Sequence, residues 1–240
     1  MSIPKYSVVI PLKNEEDNIE ELILELEPVM ESLQEPWELL CIDDGSTDNT
    51  LEKLLSLCKT KPYLRTIKFK QNFGQSSAFD AGFRKAKGEF IITLDGDRQN
   101  DPQDIPKLTS YTNRFDLICG LRANRQDTTI KKLTSRLANS VRSSFCGDGI
   151  QDTGCSLKIY RKACLDKIKM FDGMHRFLPA LFRNEGFRIV EVPVNHRSRT
   201  KGQTKYNFLN RSFNTISDMF AVRWMKKRGL KYVIDQEFNG

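Results

Sequence analysis

The stretch "FIITLDGDRQNDP", Phe90 to Pro102, sets two carboxylates at i, i+2 directly behind an apolar run. Oxygen ligands in that pattern suit a hard divalent cation, Mg²⁺ or Mn²⁺, which keeps some of its water and commonly bridges to substrate phosphates. Asp95 and Asp97 would supply the carboxylates, and Gln99 a neutral oxygen two residues on. A lone Asp-x-Asp is common by chance, so its weight depends on its surroundings. Two further acidic stretches lie at comparable places. "CIDDGSTDNT" ends an apolar run in Asp43 and Asp44, where a carboxylate could accept from a ligand's N–H groups. On its own it reads more simply as a turn with a helix N-cap. "VVIPLKNEE" closes a third run with Pro11 and turns polar at Asn14 and Glu15.

Positioning these groups requires strands. "YSVVIPL", "WELLCID", "LRTIKF" and "FIITL" read as buried strands. Between them lie amphipathic helices at 15–33, 46–58 (with Ser46 or Thr47 as N-cap) and 75–88. This alternation predicts an α/β fold with a mostly parallel, Rossmann-like sheet flanked by helices, whose strand ends present ligand-binding groups. Beyond a strand at "FDLICG" the pattern loosens. It gives a basic helix at 129–145, a turn at "CGDGIQDTG", a helix at 177–186, a strand at 187–196, a polar loop at 197–205 and a final helix at 208–228. With no repeat and no linker, the chain reads as a single domain over 1–225 with an acceptor-side extension, followed by a basic tail at 226–240.

The 240 residues carry a net charge of +7, unevenly spread. Residues 1–60 hold fourteen acids against four Lys and Arg, whereas residues 196–231 hold ten Lys and Arg against Asp218 alone. Basic patches serve nucleic acids, anionic membranes and phosphorylated substrates. Carboxylates at three strand ends would repel a nucleic-acid backbone, so that partner is not expected. Six cysteines at no metal or redox spacing read as small buried apolar groups in a reducing compartment, without disulfides or zinc. Nothing in the chain is apolar enough to span a bilayer and no leader precedes the first strand, which predicts a cytoplasmic protein. His175 and His196 lack partners at ligand spacing and read as packing or hydrogen-bonding groups. Phe213, Ile216, Phe220 and Trp224 recur at helical spacing, equally consistent with core or with membrane contact.

Taken together, "VVIPLKNEEDNI", "CIDDGSTDNT", "NFGQSSAFDAGFRKAKGEFIITLDGDRQNDP", "DTGCSLKIYRK" and "GMHRFLPALFRNEGFRIVEVPVNHRSRTKGQTKY" resemble the family 2 glycosyltransferases of GT-A fold. Among these the likeness is to dolichol-phosphate mannose synthases and bacterial polyprenyl-phosphate glycosyltransferases. It covers about residues 5 to 225 in the family's order. The resemblance implies an inverting, metal-dependent enzyme. It would move a sugar from a GDP- or UDP-sugar to a dolichyl or undecaprenyl phosphate at the cytoplasmic membrane face. Contact with the membrane would be peripheral or through a small anchoring subunit, and a homo-oligomer is compatible with the sequence.

By resemblance, Pro11, Asn14, Glu15, Asp43, Asp44 and Asp95 bind the nucleotide sugar, with the Asp43–Asp44 pair reading the base. Asp95, Asp97 and Gln99 match the metal and diphosphate motif. Arg122, Lys131, Arg136, Arg199 and Lys205 match positions that hold acceptor phosphate or leaving diphosphate. From the residues alone, Arg136 reads equally well as a surface charge. Lys13 stands where many relatives have Tyr, and Arg98 where many have an apolar residue. Asp152 matches the acidic position near the acceptor, which is a general base when the acceptor is a hydroxyl. A soluble enzyme using Asp152 in that way is the alternative reading. A lipid phosphate is already anionic near neutral pH, with a second pKa of roughly 6 to 7 by analogy with phosphorylated side chains, and needs positive charge more than a base. Arg197, Arg199, Lys201 and Lys205, with Gly202 between, predict a loop kept open by like charge until it closes over bound phosphates.

Overall fold

The computed structural model describes residues 3–122, 142–143, 145–198, 208–230 and 235–236. Seven strands form one sheet: β1 (Tyr6–Leu12), β2 (Trp37–Asp43), β3 (Leu64–Lys68), β4 (Phe90–Thr93), β5 (Leu117–Arg122), β6 (Lys158–Arg161) and β7 (Ile189–Val194), in the order β3-β2-β1-β4-β6-β5-β7. All neighbours run parallel except β6, which lies antiparallel to both β4 and β5. The helices are α1 (Ile19–Ser32), α2 (Thr50–Thr60), α3 (Gln75–Lys85), α4 (Ile105–Thr109), α5 (Lys162–Leu165), α6 (Leu178–Asn184) and α7 (Phe208–Arg228).

Strand alternation divides the core between the two faces. Tyr6, Val8, Ile10 and Leu12 of β1 pack with Ile19, Leu22, Ile23, Leu26, Val29 and Met30 of α1, whose spacing is that of a single helical stripe. Val9, with Leu40 and Ile42 of β2, faces the other way, onto Ala78, Phe79 and Phe83 of α3 and onto Phe177 and Phe182. Central strands covered on both faces must be nearly all apolar, which is why β1 and β2 begin and end where the residue pattern placed them.

Several boundaries differ from the sequence reading. α1 begins at Ile19, four residues late, because the backbone N–H groups of Glu15 and Glu16 are taken by Thr50 and Asp48 and residues 13–18 form a loop. α2 likewise begins at Thr50. Its entry is stabilised by Asp48, which accepts the Thr50 N–H at 3.0 Å, in place of a Ser46 or Thr47 cap. β6, α4 and α5 were not foreseen. The proposed helix at 129–145 falls mostly outside the described residues. Cys41, Cys119, Cys146, Cys155 and Cys164 are buried, as expected of small apolar groups. Among the described residues no helix is long and apolar enough to cross a membrane.

Candidate active site

The carboxyl ends of β1, β2 and β4 adjoin, and their loops are tied to one another. In the first two loops the Asn14 N–H donates to Ser46 Oγ at 2.9 Å, the Thr47 N–H to Asn14 Oδ1 at 2.8 Å and the Asn49 side chain to Glu16 at 2.7 Å. Glu15 accepts from the Asn18 side chain at 2.8 Å. Asn14 and Glu15 thus build the rim of the site. Lys13, the departure from tyrosine, donates to the Gly45 carbonyl and joins the same seam.

Asp43 and Asp44 are neighbours with different tasks. Strand parity sends Asp44 towards the α3 face, where its two oxygens accept the N–H groups of Phe73 at 2.6 Å and Gly74 at 2.9 Å and so fix the turn into α3. That turn can approach only because residue 45 is glycine; a Cβ there would lie 2.5 Å from the Gln71 carbonyl carbon. Asp43 is fully buried. Its Oδ1 accepts the Ser46 N–H at 3.1 Å, while its Oδ2 is buried with no partner. An unsatisfied buried acceptor of this kind is costly, and a ligand N–H would relieve it. Of the pair, only Asp43 has a buried carboxylate oxygen without a partner.

The third strand end carries the i, i+2 carboxylates. Gly96 lets this turn press on the first loop, since a Cβ there would sit 2.5 Å from Leu12 Cδ2 and 3.3 Å from Glu15 Cγ. Asp95 Oδ1 accepts from Gln75 Nε2 at 3.0 Å, and its Oδ2 lies 2.6 Å from Ser156 Oγ. Asp97 accepts the Gln99 N–H at 3.2 Å, closing the turn. Burial, and next the charge of Asp97, push the Asp95 carboxyl up to about 6. A buried carboxylate facing a second one two residues on marks a site short of positive charge, as a divalent cation would require. No cluster of three His, Cys, Asp or Glu able to hold a metal occurs among the described residues. The two carboxylates and the Gln99 amide oxygen are donors of the kind that a hard divalent cation takes.

At the end of β5, Arg122 and Asp152 form a two-pronged ion pair. Nε donates to Oδ2 and Nη2 to Oδ1, both at 2.7 Å, and the Arg122 backbone N–H adds a third bond at 3.2 Å. Glu191 of β7 accepts the N–H groups of Gln151 and Asp152 at 3.0 Å and holds the loop from behind. Burial pushes the Asp152 carboxyl up, but the Arg122 hydrogen bonds and charge outweigh it and keep it below the usual carboxylate range. Beneath lies Lys158, buried, donating to the carbonyls of Thr153 and Cys155. Its charge favours ionisation of both Asp95 and Asp152.

A family model described as "Glycosyl transferase family 2" matches residues 7–169. The chain belongs to the family 2 glycosyltransferases. It is 38% identical over 227 residues to a dodecaprenyl-phosphate galacturonate synthase of Rhizobium johnstonii, covering 92% of this chain and 67% of that protein. It is 36% identical over 219 residues to an undecaprenyl-phosphate 4-deoxy-4-formamido-L-arabinose transferase of Salmonella choleraesuis, covering 90% of this chain and 67% of that protein. Among solved structures, the glucosyl-3-phosphoglycerate synthase of Mycobacterium tuberculosis in complex with Mn²⁺ and UDP-glucose superposes with a TM-score of 0.71 at 18% identity. That match covers 92% of this chain and 79% of that one. A mannosyltransferase of Pyrobaculum calidifontis in complex with GDP-mannose and Mn²⁺ gives 0.64 at 18% identity, covering 92% and 64%. These likenesses show the GT-A fold.

In this glycosyltransferase the structure brings together Pro11, Asn14, Glu15, Asp43, Asp44, Asp95, Asp97 and Gln99 at adjoining strand ends. Arg122 and Asp152 stand across β6 from them, near enough for the Arg122 charge to act on Asp95. Lys131, Arg136, Arg199 and Lys205 lie outside the described residues, as do Lys201 and Gly202. Arg197 corrects the picture of a loop held open by four like charges: it is paired with Glu25 and Asp101, both at 2.6 Å. His175 is a hydrogen-bonding histidine, its Nδ1 lying 2.7 Å from Ser76 Oγ, and His196 bridges to Asn100 beside the metal motif. Gln75, Ser156, Lys158 and Glu191 were missed. Each is a polar residue of ordinary type whose partner is distant in sequence, and none carried a spacing signal.

Proposed function

We propose that this glycosyltransferase moves a sugar, with inversion, from a nucleoside diphosphate sugar to a polyprenyl phosphate at the cytoplasmic face of a membrane. The observation that carries the phosphate acceptor is the Asp152–Arg122 pair. A hydroxyl acceptor needs a base that can take its proton, and Asp152 is committed to a guanidinium that holds its pKa down. A phosphate acceptor needs no base. It needs fixed positive charge to approach the anionic donor, and a guanidinium oriented by two hydrogen bonds supplies that. The named activities of both curated relatives, each a polyprenyl-phosphate sugar transferase, support the same acceptor.

In this reading Asp43 Oδ2 accepts from the nucleobase, and Asn14 and Glu15 keep the two loops around it in register. Asp97, Asp95 and Gln99 would hold Mg²⁺ or Mn²⁺, which when bound neutralises charge on the leaving diphosphate. Gln75 and Ser156 fix the Asp95 carboxylate, and Asp152 fixes Arg122 towards the acceptor phosphate. Lys131, Arg136, Arg199 and Lys205 supply the remaining phosphate contacts. Catalysis is then positioning and electrostatics.

α7 provides the membrane contact. Val222 is buried in the core, and Arg223 is held over the Phe145 ring at 4.6 Å. Ile216, Phe220 and Trp224, at i, i+4, i+8, are 52%, 61% and 63% exposed, with Lys226, Lys227 and Arg228 at the end of the same helix. An apolar stripe beside basic residues fits an anionic bilayer surface.

The test is a panel of GDP- and UDP-sugars offered to a short-chain polyprenyl phosphate, the matching polyprenol and simple sugars, with and without EDTA. Transfer to the phosphate alone, abolished by EDTA and by Asp97→Ala in a folded protein, is expected. Transfer to hydroxyls in preference to the phosphate, or full turnover by Asp97→Ala, would sink the reading.

A further inference from the structure

Arg98 sits between Asp97 and Gln99, an odd place for a positive charge if the turn is to hold a cation. Its backbone is equally unusual, at φ +61°, in the left-handed region that side-chain-bearing residues avoid unless their surroundings impose it. The surroundings are on α1. One guanidinium nitrogen contacts the Glu21 carboxylate and another the Glu25 carboxylate. These two acids are one helical turn apart, so a planar fork can span both. The Arg98 side chain is only 18% exposed.

Glu25 also serves a second arginine. Its other oxygen accepts from Arg197 at 2.6 Å, while Arg197 donates to Asp101 at 2.6 Å and its backbone N–H donates to the Gln99 carbonyl at 3.0 Å. The turn from Asp97 to Asp101 is therefore gripped at residue 98 and again at 99 and 101, and both grips close on one glutamate. Burial pushes the Glu25 carboxyl up, but its bonds to Arg98 and Arg197 outweigh that and keep it ionised.

We infer that Arg98 is a positioning residue for the divalent-cation site. Its ion pairs to Glu21 and Glu25 hold the Asp97–Gln99 turn in its left-handed form and draw its own charge away from the cation. The inference rests on the metal-dependent reading above and assigns a role to a residue at which this chain departs from the family pattern.

The test is Mn²⁺ affinity, read as free Mn²⁺ by electron paramagnetic resonance in titrations of the full chain with GDP, with UDP and with neither. Removing a group that orients metal ligands typically weakens binding 10–100-fold, and Arg98→Ala is expected to weaken it about 10-fold. Glu25→Gln, which leaves residue 98 intact but loosens its anchor, should do at least as much, and Arg98→Lys, which keeps charge without the fork, should fall between. Lys61→Ala breaks a different α1 ion pair, to Glu27, and should stay within about twofold of wild type. A role confined to stability would lower the melting temperature of Arg98→Ala without moving Mn²⁺ affinity. That result, or affinities for Arg98→Ala and Glu25→Gln both within about twofold of wild type, overturns the inference. Should Arg98→Ala fail to fold, Glu25→Gln and Arg98→Lys decide the matter on the same criterion. Wild-type protein that binds no Mn²⁺, or binds it equally well as Asp97→Ala, overturns the metal reading and the inference together.

Discussion

Asp152→Asn separates the two acceptor chemistries most sharply. Protonating even an ordinary aspartate, pKa about 3.9, at pH 7 costs about 4 kcal/mol at 1.36 kcal/mol per pH unit, and Arg122 holds Asp152 lower still. A base of that kind would be poor, so the substitution should act through geometry. Asparagine keeps one acceptor for Arg122 but loses the anion and one of the two 2.7 Å bonds. Removing one partner of a buried pair outright costs about 3–5 kcal/mol; with one acceptor kept the cost should be smaller, and the melting temperature should fall by less than about 10 °C. A guanidinium displaced by about 1 Å should lower kcat some 10- to 100-fold with the lipid phosphate, leaving the shape of the pH–rate profile unchanged. Because Asp152 acts through Arg122, adding Asp152→Asn to Arg122→Met should cost little more than Arg122→Met alone. The assay is steady-state transfer from pH 5.5 to 9 for the two single variants and the double. Recovery of Asp152→Asn at high pH, or full additivity in the double variant, would refute the positioning argument and restore Asp152 as a base.

Asp43→Asn should weaken nucleotide binding at least 10-fold by calorimetry, the worth of a charge-assisted hydrogen bond, with little change in the melting temperature of the ligand-free protein, because the amide nitrogen is as poorly partnered as the oxygen it replaces. Asp95, raised to about 6 first by burial and then by Asp97, binds its proton more tightly folded than unfolded. Its contribution to stability is therefore present below about pH 4 and lost as pH rises through 6. Metal-free melting temperatures should show this decline, and Asp95→Asn should flatten it. Phe220→Ser with Trp224→Ser removes two exposed apolar groups of α7 worth about 1.5–3 kcal/mol each when buried. Binding to phosphatidylglycerol-rich vesicles in a flotation assay should fall about 100-fold or more, with transfer to a detergent-soluble acceptor retained.

The parts legible in sequence are those whose physics is local or periodic. β1 and β2 were readable to the residue because a parallel strand buried on both faces is a continuous apolar run with polar ends. β6 was not, since its four residues open with a lysine, and only the fold reveals that Lys158 is buried there with backbone carbonyls for partners. Helix starts were read too early because Glu15, Glu16, Ser46 and Asp48 have the composition of a first turn. Their hydrogen bonds instead tie one loop to another 32 to 35 residues away. The same holds at the site. Carboxylates at strand ends are visible as motifs, whereas the partner each one takes is decided by residues far off in the chain: Phe73 for Asp44 at a separation of 29, Arg122 for Asp152 at 30.

Those partners decide function because they sort like residues into unlike roles. Acids that meet a cation or a row of N–H groups become scaffold: Asp44 on the Phe73–Gly74 turn, Glu25 between two arginines, Asp152 against Arg122. Asp43 keeps an oxygen with no partner, and Asp95, held by the neutral donors Gln75 and Ser156, is repelled by the charge of Asp97. Carboxylates facing a donor diphosphate and an acceptor phosphate would oppose the approach of both. In the proposed reading the answer is charge held in place from the other half of the chain: Arg122 fixed by an acid whose pKa it holds down, and Lys158 buried under the same turn. An enzyme that needed Asp152 to accept a proton would gain nothing from pinning it to a guanidinium. One that needed Arg122 aimed at a phosphate would require such a pin.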